Sequence, residues 1–106
     1  MASSKDYLTL VLEQLSALDG ISYRAMMGEY ILYFRGRIVG GIYDNRLLVK
    51  PVSAAMALLP DAPHELPYSG AREMLLVEQV EDSAFLCGLL TAMFDQLPPP
   101  KQKKKS

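Results

Sequence analysis

Ser22 to Lys50 reads SYRAMMGEYILYFRGRIVGGIYDNRLLVK, and its punctuation decides the fold. Tyr30 to Phe34 is an unbroken run of aromatic, β-branched and aliphatic residues, the types that fit a pleated surface. Arg35-Gly36 interrupts it where a hairpin turn would sit. Ile38 to Tyr43 resumes it, and Asp44-Asn45 interrupts it again. Asp and Asn tolerate positive φ and bond their own backbone, so this second break is a turn. Leu47 to Val49 is a further short strand, closed by Pro51, which has no N–H to give to a ladder. The stretch therefore holds three or four strands. Their connections are too short for a parallel crossover, so the pairing is antiparallel.

Alternation along these strands assigns faces. Tyr30, Leu32 and Phe34 share one side, and Ile31, Tyr33 and Arg35 the other. In the next strand Ile38, Gly40 and Ile42 oppose Val39, Gly41 and Tyr43. Neither side is polar, so helices covering one face leave the other apolar and in need of cover. This pattern predicts a homodimer that uses the sheet, through Tyr33, Val39, Gly41 and Tyr43 or through an edge strand. A one-residue slip near Gly36 would exchange the two sets. The Gly40-Gly41 pair marks a bulge, a close approach of another chain, or space for a large neighbour such as Tyr33 or Phe34.

Outward from the sheet, Ser3 or Ser4 caps a first helix, with Asp6 placed as in a capping box. Leu8, Val11, Leu12, Leu15 and Leu18 form its apolar stripe, and Asp19-Gly20 ends it. Ser53 to Leu59 is a short helix stopped by Pro60. The Pro-rich segment 60–72 is long for a structureless loop, so an edge strand is placed near Glu65 to Tyr68, before a returning strand at Met74 to Val77. Asp82 or Ser83 caps a last helix whose apolar face is Phe85, Leu86, Leu89, Leu90, Met93 and Leu97. The reading is an α+β domain, α-β4-α-β2-α, with a mostly antiparallel sheet and helices on one face. It occupies residues 1–97, and Pro98 begins a disordered Pro/Lys tail to residue 106.

The chain has 106 residues, one Cys and one His. One Cys excludes an intrachain disulfide and suits a reducing compartment. No stretch has transmembrane length and the N-terminus lacks the apolar centre of a signal peptide, so a cytoplasmic protein is expected. Residues 1–100 carry seven Lys/Arg and twelve Asp/Glu, while four lysines crowd the last six positions. The acidic body argues against specific nucleic-acid binding by the folded part, leaving the tail for non-specific phosphate contacts.

Chemistry is sparse. His64 and Cys87 lie far apart, there is no C-x-x-C, and no metal or cofactor is predicted. No phosphate-binding glycine loop occurs. Glu29 is a conceivable general base, but pairing with Arg24 or Arg37 across the sheet is the simpler role. Met26-Met27 offers an adaptable binding surface, with at least one of the two placed in the core. No enzyme is expected. The candidate interaction residues are Met26, Met27, Glu29, Tyr33, Val39, Gly41 and Tyr43.

The run RAMMGEY-x-LY, a turn glycine, a glycine-containing strand and RLLVK resembles the N-terminal domain of the TfoX/Sxy family, named for regulators of competence genes. Met26, Met27, Gly28, Glu29 and Tyr30 carry the resemblance most clearly, and it extends from the first helix to Gln96. It implies a fold like that of secretion-chaperone domains, which are dimers that bind protein segments. It also implies a regulatory module acting through protein partners, since members act with the cyclic-AMP receptor protein at promoters. Those regulators carry a second, C-terminal domain for which this chain has no room. A stand-alone domain that binds a protein or a small ligand outside transcription is the alternative.

Overall fold

The structure, a computed structural model, describes residues 3–98. Helix α1 (Lys5–Gln14) precedes strands β1 (Ile21–Met26), β2 (Glu29–Phe34), β3 (Arg37–Ile42) and β4 (Leu47–Val49). Helix α2 (Ser53–Leu58), strands β5 (His64–Glu65) and β6 (Met74–Val77), and helix α3 (Ser83–Met93) follow. A 3-10 turn, Phe94–Gln96, extends α3. All six strands form one antiparallel sheet in the order β1-β2-β3-β4-β6-β5. This is the expected α+β order, α-β4-α-β2-α. The expected tail lies outside the described residues except for Pro98.

Three two-residue turns build the first four strands. Met27-Gly28, Arg35-Gly36 and Asp44-Asn45 all have positive φ at both positions, between 52° and 85°. That is the type I′ geometry, whose twist matches that of the flanking strands. Glycine or Asn/Asp takes most of these sites at little cost, whereas Met27 and Arg35 hold left-handed backbone with full side chains.

Ser4 caps α1 by accepting from the Tyr7 N–H. The helix stops at Gln14, earlier than the Asp19-Gly20 signal suggests. Leu15 N–H is shared between the Val11 and Leu12 carbonyls, and Ser16 N–H turns back to Glu13. From α3, Ser83 Oγ donates to the Gln14 carbonyl at 2.6 Å, so a tertiary partner takes up a backbone acceptor at the helix end. Gly20 (φ +89°) instead serves the approach to β1, where a Cβ would meet Arg35.

The core lies between one sheet face and the helices. Leu32, Phe34, Leu47, Val49, Leu75 and Val77 meet Leu8, Val11, Leu15, Ala55, Leu86, Leu89, Leu90 and Met93, all buried. Leu12, on the flank of the α1 stripe, is only partly buried.

The face assignment of β3 is corrected by a bulge. Leu32 pairs with Gly40 but Tyr33 pairs with Ile38, so Val39 is the extra residue. Val39 turns into the core at 1% exposure and Ile38 turns outward. The slip falls between Ile38 and Gly40 rather than at Gly36. Val39 therefore cannot be an interface residue.

The second face is not left bare either. Residues 66–73 fold over it, with the buried Pro67 and with Tyr68 against Tyr43 (ring centroids 6.1 Å). Tyr43 is 7% exposed and Leu48, beneath on the same face, is fully buried. Arg46 holds the cover in place: it pairs with Glu65 at 2.6 Å and donates to the Leu66 and Tyr43 carbonyls. The Pro-rich segment thus contributes only a two-residue strand, His64–Glu65, and otherwise closes the face that the sequence assigned to a partner.

Candidate interaction site

The glycine pair is explained from within the chain. A Cβ on Gly40 would collide with the Leu48 carbonyl oxygen and lie 2.8 Å from Val49 Cα. A Cβ on Gly41 would lie 2.6 Å from the Tyr43 ring. Gly40 lets β4 approach the bulge, and Gly41 lets Tyr43 lie back over the strand. Neither Gly41 nor Tyr43 is open to a second chain, and Tyr33 is half-buried.

Glu29 does not meet Arg24 or Arg37. Its Oε1 accepts from Ser3 Oγ at 2.6 Å and from the Asp44 N–H at 3.1 Å. Ser3 Oγ accepts in turn from the Asn45 N–H, Ser3 N–H donates to the Gly28 carbonyl, and Ser4 N–H donates to Asn45 Oδ1. The carboxylate therefore ties the N-terminal segment to two hairpin turns. Arg37 lies at the far end of β3, where it donates to the Phe94 and Leu97 carbonyls and stacks 4.4 Å from the Phe94 ring centroid. It fastens the end of α3 to the sheet.

Met26 and Met27 both lie on the surface, so the expectation that one is core does not hold. Met27 is 96% exposed at the tip of the β1–β2 hairpin, and Met26 is 41% exposed beside it. Behind them runs β1, an edge strand exposed from Ser22 to Met26. Tyr23, 46% exposed, packs edge-on against Tyr30 on the helix side of the sheet. Leu12, Leu15, Ser16, Leu18, Ile21 and Tyr23 line a groove of about 480 Å³ between α1 and β1. Of the predicted residues, only Met26 and Met27 belong to this surface. Tyr23 and the groove were legible only through strand order, because nothing local marks β1 as an edge.

A second concavity of about 370 Å³ lies beside the cover, bounded by Ile38, Tyr43, Tyr68, Lys50 and Arg72 among others. Burial pushes the Tyr43 phenol above its ordinary range, helped by the neighbouring Tyr68, Glu29 and Tyr33.

The remaining reactive groups lie apart. Cys87 Sγ lies 3.6 Å from the Gln14 carbonyl on the α1–α3 contact. His64 is on β5, 3.6 Å from Glu73. The two are not brought together. Among the described residues, no three His, Cys, Asp or Glu side chains stand together as a metal site would require. No helix among them is long and apolar enough to cross a membrane.

The chain is 31% identical over 105 residues to the "Uncharacterized 12.7 kDa protein in trpE 5'region" of Spirochaeta aurantia, an alignment that covers 98% of this chain and 91% of that protein. No family model matches the chain, and no solved structure matches it.

Proposed function

The chain belongs to the family of the 12.7 kDa Spirochaeta aurantia protein, and on that premise we propose that it is a non-enzymatic regulatory module that works as a homodimer through protein contacts. The observation that carries this reading is the β1–β2 hairpin tip. Met27 stands almost wholly in solvent with left-handed backbone, an arrangement that costs about 1–2 kcal/mol for a residue with a side chain. Strain of this kind at an exposed position motivates a functional hypothesis. Unbranched, polarisable methionines suit an adaptable docking surface. The roles of Glu29 and Cys87 support the non-enzymatic part: the carboxylate accepts from Ser3 and from the Asp44 N–H, and the thiol faces the Gln14 carbonyl on the α1–α3 contact. The resemblance to competence regulators favours a partner in transcription, and a cytoplasmic location goes with it.

The test places a photoreactive amino acid at position 27, and for comparison at the exposed position 9 on α1, and irradiates cells. A discrete protein adduct at 27 that is absent at 9 supports the module, and RNA polymerase or a promoter-bound receptor in that adduct supports transcription. Identical adduct patterns at the two positions overturn the hairpin as a docking site.

A second reading takes the concavity beside Tyr43 and Tyr68 as a small-ligand site. Its aromatic and aliphatic wall carries Lys50 and Arg72 against the single carboxylate of Glu73, a net positive rim that suits an apolar anion. Chemical-shift changes confined to these residues on adding an aromatic carboxylate support it, and their absence removes it.

A further inference from the structure

The two edges of the sheet are built differently. β5 has two residues, between Pro63 and Pro67, and one of them, Glu65, is ion-paired. Short length, proline and charge are the usual means of blunting an edge. β1 has six residues, ISYRAM, with no proline, no bulge and one charge. It is a full-length open edge.

Its hydrogen-bonding groups can be assigned. The two-residue turn closes on the Met26–Glu29 pair, and Arg35 N–H donates to the Gly20 carbonyl. In an antiparallel ladder the bonded pairs alternate, so Gly20, Ser22, Arg24 and Met26 bond inward to β2. The N–H and C=O groups of Ile21, Tyr23 and Ala25 point away from the sheet. Their side chains share the face of Phe34, Leu32 and Tyr30, which is the helix side and the floor of the groove against α1.

Read about Tyr23, the strand has a palindromic pattern: Ile-Ser-Tyr-Arg-Ala is apolar, polar, Tyr, polar, apolar. We propose that β1 pairs antiparallel with β1 of a second copy on a two-fold axis at Tyr23, joining two six-stranded sheets into one of twelve strands. In this register Ile21 faces Ala25 of the second copy, Tyr23 faces its equivalent, and all six outward backbone groups of each strand segment are used. Arg24 faces Ser22 of the other copy. An axis at Arg24 would instead set two guanidiniums opposite each other, which is unfavourable. The two α1 grooves, which no charged side chain lines, then meet across the axis over both Tyr23 rings. The two Met27 tips end on the order of 25 Å apart, from the rise of an extended strand, so the dimer presents two docking points.

This inference rests on the homodimer reading and adds its interface. Sedimentation at micromolar concentration is compared for the full chain and for Tyr23→Pro. Residue 23 gives no N–H to β2, so proline there keeps the β1–β2 ladder and removes the outward N–H, along with the ring that packs on Tyr30. The wild type is expected as a dimer, and Tyr23→Pro as a monomer with an unchanged circular dichroism spectrum. Since that variant could unfold, disulfide trapping on a Cys87→Ser background decides independently. Ser22→Cys mixed with Arg24→Cys should cross-link on mild oxidation, and neither variant alone should do so. A wild-type monomer overturns the dimer altogether. A wild-type dimer with no mixed cross-link, or a folded dimeric Tyr23→Pro, leaves the dimer standing and overturns the β1 interface.

Discussion

The Ser3 hydroxyl donates a 2.6 Å hydrogen bond to Glu29 Oε1 across 26 positions of chain. The same oxygen accepts from the Asp44 N–H, and the Ser3 oxygen accepts from the Asn45 N–H. One carboxylate thus joins the start of α1 to the first and third hairpins. Hydrogen bonds to a charged acceptor are worth about 1.5–3 kcal/mol each, and these are partly open to water, so the low end applies. Glu29→Ala removes both and should cost about 3 kcal/mol, lowering the melting temperature by roughly ten degrees or more in a domain of this size. Glu29→Gln keeps a carbonyl acceptor and should cost less than half as much. Thermal melts of the two variants check this, and equal melting temperatures for Glu29→Ala and wild type would show that the network contributes nothing.

Gly40 and Gly41 permit close packing, whereas Gly88 does not serve it. Gly40→Ala and Gly41→Ala each drive a methyl group into backbone or a tyrosine ring, and the backbone collision at Gly40 has no flexible partner to yield. Gly88 lies within α3 with open space where a Cβ would sit. Gly88→Ala should stabilise by roughly 0.5–1 kcal/mol through helix propensity, while Gly40→Ala should destabilise by several times that amount. Urea unfolding of both variants gives the signs directly, and a neutral Gly40→Ala would mean the β3–β4 pairing is looser than described.

Met27→Asn tests the strain at the hairpin tip. Asn adopts left-handed backbone more readily than Met, and Met27 has almost no contacts to lose. The substitution should therefore raise the stability to unfolding by up to about 1 kcal/mol, read from thermal or urea melts. A destabilised variant would show that the methionine packs on something after all.

The strand content of residues 22–50 was legible because turn chemistry is local. Arg35-Gly36 and Asp44-Asn45 announce their turns, and Pro51 ends β4. Strand order and register depend on distant contacts, and there the sequence was silent. Val39 is β-branched and apolar, so nothing in its type distinguishes the bulged position from its neighbours. Ile38 is equally apolar and points outward. The cover over Tyr43 was hidden because a Pro/Gly-rich segment reads as a loop, and no local pattern states which face a loop crosses. Glu29 was visible as the acid in the signature segment, but its partners come from Ser3 and from a backbone N–H at Asp44, contacts that charge pairing does not suggest.

Leu12 and Val11 are adjacent on α1, yet Val11 is fully buried and Leu12 borders the groove. An unpaired carboxylate at a fully buried position costs several kcal/mol, so Val11→Asp should leave little folded protein. Leu12→Asp can turn its charge toward the groove and water and should remain folded with a smaller loss. The reverse ranking in chemical unfolding would place Leu12, rather than Val11, at the centre of the α1 stripe.

Alkaline pH tests the cover on the outer face. Burial raises the phenol of Tyr43, reinforced by Tyr68, Glu29 and Tyr33. Burial also raises that of Tyr7, against a lowering by the Leu47 backbone. In the unfolded chain both phenols lose their protons near pH 10. Above that pH the unfolded state binds fewer protons than the native state, so stability falls as pH rises. The contribution is fully present below about pH 10 and is lost as pH climbs through the raised native values. Native protein titrated by absorbance of the phenolate should show Tyr43 and Tyr7 ionising later than in the unfolded chain. Tyr43→Phe should remove one of these late steps and flatten the loss of stability above pH 10, in proportion to its share. If Tyr43 ionises in folded protein as it does in the unfolded chain, residues 66–73 do not shield it, and the outer face is open to solvent.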